Sequence, residues 1–161
     1  MQSRSRQQGV AAVEMAILLM PLIFIVFGIT EFGRAFYQYN TVLKATRDAA
    51  RYLSAQQPGT KNDLAECLLI YGKFDEEAAN PCDPIADKTF VPLAPYLADA
   101  TITICDWQSC PDHLAQGAAP VVNLVSVTVS NYQFVSLVPF VTSDLSTITF
   151  GQIRTVMKAN L

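Results

Sequence analysis

Apolar and polar residues follow three different patterns along the chain. The first is a continuous apolar run. From Val10 to Ile29 there are twenty residues and a single charge, Glu14. As a helix this run is about 30 Å long, the thickness of one hydrocarbon core. The second pattern is a stripe. Phe32, Phe36, Tyr39, Leu43, Thr46, Ala50 and Leu53 recur at alternating steps of four and three, a coiled-coil-like seam that Thr46 and Ala50 weaken. Pro58-Gly59 supplies a stop. One helix is therefore expected over 10–57, about 72 Å if unbroken, with 10–29 as its membrane-spanning part.

The third pattern is alternation. Ala100–Cys105 alternates Thr and Ile, and Val125, Val127 and Val129 alternate with Ser126, Thr128 and Ser130. Both read as strands with one buried face. Tyr132 and Phe134 fall out of phase with the valines, which predicts a bulge or bend near Asn131. Ser146–Lys158 reads as a third strand, with Gly151 as a candidate bulge. A short helix is expected over Leu64–Tyr71, capped by Asp63 with Glu66 at the capping-box position and ended by Gly72. Its expected buried stripe is Leu64, Cys67, Leu68 and Tyr71. Four prolines between residues 75 and 99 predict loop. The expected fold is α+β: a long N-terminal helix with a small antiparallel sheet, most simply a meander, packed on its upper half. The expected division is 1–9 as a leader, 10–57 as the helix and 58–161 as the α+β domain.

Composition agrees with an inserted N-terminus. Only 16% of the 161 residues are charged, and the mean hydropathy is +0.26. The formal charge of −3 argues against a nucleic-acid partner. Residues 58–161 hold five basic and eleven acidic side chains, so the acidity lies in the C-terminal part. Such a surface is usually solubilising, or it meets a basic collar of Arg34, Lys44, Arg47 and Arg51. A secretory signal peptide fits the N-terminus poorly. Its apolar stretch should be shorter and should end in a small-residue cleavage site, whereas this run leads into Thr-Glu-Phe-Gly-Arg. Two residues of the run stand out. Glu14 is expensive in lipid unless paired, with an amine at Val10 or on a neighbouring subunit, or unless it stays wet near the headgroups. Pro21 lacks a backbone donor and should bend the helix.

The cysteines number four, Cys67, Cys82, Cys105 and Cys110, all beyond the apolar run. An even count suits an oxidising compartment and two disulfides. Of three pairings, Cys67–Cys82 with Cys105–Cys110 is favoured because each closes a local loop. A zinc site ranks low, since paired Cys-x-x-Cys knuckles are missing. The single histidine, His113, lies near Cys110, and a surface-loop position is expected for it rather than a Cys–His nucleophile. Trp107 lies inside the Cys105–Cys110 loop, as an adhesive contact or folded back on the sheet. Val135–Val141 is unusually apolar for a loop, tucked into the core or touching a membrane or a neighbour. No phosphate loop, metal-spaced His pair or hydrolase serine motif is present in the sequence, so neither an enzyme nor a cofactor is expected.

A basic leader ending in Gly9, with Glu five residues after it, resembles a class III prepilin signal. Ala12–Leu22, Gly28–Phe36 and Ala45–Tyr52 resemble the N-terminus of TadE-like minor pseudopilins of the tight-adherence (Tad/Flp, type IVc) pilus. A weaker likeness to the closing strands of that family covers Val125–Phe134 and Thr155–Met157. The resemblance implies a pilin-like fold and cleavage between Gly9 and Val10 by a prepilin peptidase. It implies Glu14 as the register residue and partnership with other pilin subunits and with inner-membrane lipid. It also implies a single pass, with the N-terminus cytoplasmic and the C-terminal domain periplasmic, whereas the distribution of Lys and Arg around the span is indecisive. The competing reading is an uncleaved single-pass anchor displaying a disulfide-clamped adhesive domain.

Overall fold

The computed structural model describes residues 5–77, 80–83, 88–110, 113, 123–137 and 147–160. Helix α1 runs from Ser5 to Ser54, 50 residues with Pro21 inside it. It starts earlier than the expected Val10, because helical backbone continues through Gly9 into the polar tip. It also ends three residues before Gln57. The amides of Ala55 and Gln56 turn back to the carbonyls of Tyr52 and Leu53 at 3.2 and 3.0 Å, tightening the last turn. The Ser54 carbonyl accepts from the Asn160 amide at 2.8 Å, so the end of the chain caps the long helix.

Helix α2 spans Asn62–Tyr71. The expected capping box is not what starts it. Lys61, in the left-handed region at φ 57°, precedes the helix without a side-chain cap, and Asp63 falls inside the first turn. There its carboxylate still complements the helix dipole. Gly72 ends the helix at φ 73°, its amide bonded to the Leu68 carbonyl. The left-handed backbone favours glycine there, and a Cβ on Gly72 would also come within 3.1 Å of the Leu93 side chain. The buried stripe is Leu64, Ala65, Cys67, Leu69 and Ile70, and the expected Leu68 and Tyr71 are only half-buried. The stripe is wide because α2 is covered on two sides. One is α1. The other is the segment carrying buried Phe90, Ala94 and Leu97, whose Leu93 amide donates to the Ile70 carbonyl at 2.8 Å.

Among the described residues five strands follow: β1 Thr101–Cys105, β2 Leu124–Ser130, β3 Gln133–Val135, β4 Thr147–Thr149 and β5 Ile153–Lys158. All pairs are antiparallel, in the order β1-β2-β5 with a separate β3-β4 pair. The single strand expected over Ser146–Lys158 is thus two. Val129 pairs with Ile153, and Gln133 pairs with Thr149. The same register therefore holds on both sides of the break, with three residues between on each strand. Within it Asn131 stands opposite Gly151, and the Phe150 amide still reaches the Tyr132 carbonyl at 2.9 Å. No residue is inserted. The out-of-phase Tyr132 and Phe134 arise where both strands are interrupted, at a bend at Asn131, which lies in the left-handed region at φ 58°. The buried side chains switch from Val125, Val127 and Val129 to Tyr132 and Phe134 across it.

The core lies between α1 and the sheet. Val42, Ala45, Ala49, Ala50 and Leu53 meet Leu69, Leu97, Val125, Val127, Val129 and Ile153. Below it, Tyr132 stacks on Phe150 with ring centroids 5.6 Å apart, and Tyr39 lies 5.6 Å from the same Phe150. The part of the apolar loop beyond Leu137, with Pro139, lies outside the described residues.

Candidate functional site

Among the described residues, the lower half of α1 is left uncovered by its own chain. Every residue from Gly9 to Thr30 is exposed, including Leu18 at 68% and Ile29 at 68%. So continuous an apolar surface is not stable in water. The helix is long and apolar enough to cross a membrane. Gly9, Val10, Glu14 and Pro21 all lie on this exposed stretch. A Cβ on Gly9 would meet open space, so packing within the chain does not require glycine there.

The upper half packs on a face that coincides with the expected seam towards its C-terminal end and departs from it at Phe32 and Phe36. The inward face is Gln38, Val42, Ala45, Thr46, Ala49, Ala50 and Leu53. Of the expected positions Thr46, Ala50 and Leu53 are buried, Tyr39 and Leu43 are half-buried, and Phe32 and Phe36 are 74% and 60% exposed. Small residues explain the packing of this face. Alanines let the sheet approach the helix backbone closely, and the Thr46 hydroxyl is satisfied by donating to the Val42 carbonyl at 2.7 Å. Buried Gln38 accepts from the Tyr132 hydroxyl at 3.1 Å.

Between the two halves sits a polar clamp that the periodicity did not reveal. Glu31 pairs with Arg34 one helical turn on, at 2.9 Å. The same carboxylate oxygen accepts from the Ser136 hydroxyl at 2.9 Å and from the Leu137 amide at 3.2 Å. Arg34 donates to the Val135 carbonyl at 2.7 Å and lies 4.6 Å from the Phe134 ring centroid. Burial pushes the Glu31 carboxyl up. The hydrogen bonds from Arg34, Ser136 and Leu137 outweigh this and hold it below the usual carboxylate range. The end of β3 is thereby pinned to the foot of the packed helix. The rest of the expected basic collar, Lys44, Arg47 and Arg51, is solvent-exposed.

Two disulfides close the domain, Cys67–Cys82 and Cys105–Cys110, spanning 15 and 5 residues. Asp106 organises the smaller loop. It accepts from the amides of Gln108, Ser109 and Gly59 at 3.0, 2.7 and 2.6 Å, so it ties the loop to the α1–α2 turn. Burial raises the Asp106 carboxyl, and the bonds from Ser109, Gly59 and Gln108 bring it below its ordinary value. Trp107 folds back rather than projecting. It is half-buried, sharing a crevice with Leu53, Gln56, Pro58, Val125 and Ala159.

His113 is not a surface residue, contrary to expectation. It is 5% exposed, and its Nε2 lies 2.6 Å from the Ser126 hydroxyl and 3.3 Å from an Arg154 nitrogen. Arginine only donates, so in the contact with Arg154 the imidazole Nε2 is the acceptor. Ser126, itself 2% exposed, is sealed from any substrate by this packing. Cys105, Cys110 and His113 bring their ligand atoms within 4.8 Å of one another, but both sulfurs are committed to the disulfide.

Residues 9–51 match the family model described as TadE-like protein. No curated protein and no solved structure matches the chain. The matched stretch opens at Gly9 and closes within α1, taking in Glu14, Pro21, Glu31 and Arg34 but none of the sheet. The similarity to TadE-like proteins is therefore carried by helix α1 and not by the disulfide-bonded domain.

Proposed function

We propose that the protein is a minor pseudopilin of a Tad/Flp-type pilus. It is cleaved between Gly9 and Val10 by a prepilin peptidase, held in the inner membrane by 10–29, and used in assembling or initiating the pilus. The observation that carries this reading is the coincidence of the TadE-like match with an unpartnered apolar helix, starting at Gly9 with Glu14 five residues on. Cleavage would leave an amine at Val10 about one helical turn from Glu14, on the same chain or on a neighbour. A buried ion pair of this kind is costly to mismatch and therefore sets register between subunits. The domain of residues 58–161 would then be periplasmic, where its two disulfides are stable. Its role is structural rather than catalytic.

Intact-mass analysis after co-expression with the prepilin peptidase tests this. A chain starting at Val10 is expected. An intact Met1 under those conditions would overturn the pseudopilin reading and leave an uncleaved anchor.

A further inference from the structure

The foot of the folded domain and the end of the apolar span meet at one level of the helix. Glu31, which holds Ser136 and Leu137, lies two residues beyond Ile29. At about 1.5 Å per residue that is a rise of about 3 Å. Each headgroup layer of a bilayer is about 5–8 Å thick. With 10–29 in hydrocarbon, the Glu31–Arg34 clamp and the chain it pins therefore fall within the headgroup layer.

The chemistry at this level suits that layer. Leu137 is 71% exposed and Phe32 is 74% exposed, one at the foot of the sheet and one on the helix. The ion pair beside them is partly exposed, at 20% for Glu31 and 28% for Arg34. Exposed apolar side chains around a polar, hydrogen-bonded pair match an interface that is greasy below and wet above. At the opposite end of the packed helix the exposed residues are Ala55, Gln57, Gly59, Thr60 and Lys61, a largely polar set. The apolar foot is also continuous with the span, because the Leu137 amide is bonded to a residue of the spanning helix itself.

We propose that this foot, Leu137 and Phe32 around the Glu31–Arg34 clamp, is a lipid-docking surface that seats the domain in the headgroup layer of the bilayer its own helix crosses. The proposal rests on the reading of 10–29 as a membrane span. The clamp sets the height of the domain above the span, and the exposed leucine and phenylalanine hold it down. The domain is therefore seated on the membrane before assembly, and leaving the bilayer must expose this foot or transfer it to another subunit.

Site-directed spin labelling of the full chain, in vesicles of phosphatidylethanolamine and phosphatidylglycerol, tests this. Single nitroxides are placed at Ile23→Cys in the span, Leu137→Cys at the foot and Ala55→Cys at the top. Accessibility is read to molecular oxygen and to a water-soluble nickel chelate. The label at Leu137 should be several-fold less accessible to the chelate than the label at Ala55, while remaining open to oxygen. Chelate accessibility at Leu137 equal to that at Ala55, with Ile23 protected, overturns the docking while insertion stands. Protection of Leu137 from both reagents overturns it in favour of a protein partner or a second copy. An Ile23 label open to the chelate overturns the spanning reading itself, and the proposal with it.

Discussion

The two halves of α1 differ in a way that hydrophobicity alone would rank backwards. The lower half is the more apolar and is wholly exposed, from Val10 through Ile29. The upper half is mixed, with Lys44, Arg47, Asp48 and Arg51 on its surface, yet it carries the fully buried Val42, Ala49 and Ala50. Burial within the chain follows shape and partner. Alanines and a back-bonded threonine let a sheet approach, whereas a sleeve of Leu, Ile, Met and Phe all round a helix gives no single face to a small domain. The lower half is left uncovered by the described part of the chain, and the upper half is packed against the domain.

The sharpest way to break that contrast is a double dissociation. Glu14→Ala should insert in the membrane and leave the thermal unfolding of the domain unchanged, yet lose co-assembly with other subunits, read by recovery in sheared pilus fractions. Normal assembly by this variant would remove the register role. Leu69→Ala, at a site 0% exposed, should do the reverse. It should destabilise the domain by about 2–5 kcal/mol in denaturant titration of the detergent-solubilised chain, with insertion unchanged.

The disulfides come next in size. Replacing the Cys67–Cys82 pair with serines should cost about 2–5 kcal/mol. The five-residue Cys105–Cys110 loop should cost roughly 1 kcal/mol less than the fifteen-residue one, because loop-closure entropy grows with loop length. Equal losses would point to the Asp106 network rather than the covalent loop as the source of order in that hairpin.

The smallest effect is pH. Glu31 and Asp106 both sit below their ordinary values of 4.5 and 3.8. Their contribution is complete above those unfolded-state values. It is lost as pH falls through the lower folded-state values, because protonation then favours the unfolded chain. Stability should therefore decline below about pH 4.5, and Glu31→Gln should remove part of that slope. An unchanged slope in Glu31→Gln would show that the clamp does not contribute.

Much of this architecture is legible along the chain because it is local. The apolar run, the Val125–Val129 alternation and the Gly72 stop each follow from the side chains at those positions. The clamp is not, because Glu31 and Arg34 look like an ordinary surface pair until a segment a hundred residues later is placed beside them. The burial of His113 is not legible for the same reason, since it depends on β2 and on Arg154 from β5. The seam and the buried face share Thr46, Ala50 and Leu53, and they part at Phe32 and Phe36, which the domain leaves exposed.

By itself, the sequence determined that a long helix would carry an apolar lower half, that strands would alternate faces, and that the phase would break near Asn131. Those properties reside in backbone periodicity and in the transfer energy of single side chains. Only the tertiary structure decided which face of α1 is covered, that Asn131 and Gly151 stand opposite each other in one unbroken register, and that the foot of the sheet is tied to α1 just beyond its apolar half. Each of these depends on the relative placement of segments far apart in the chain, which close packing and hydrogen-bond satisfaction select together.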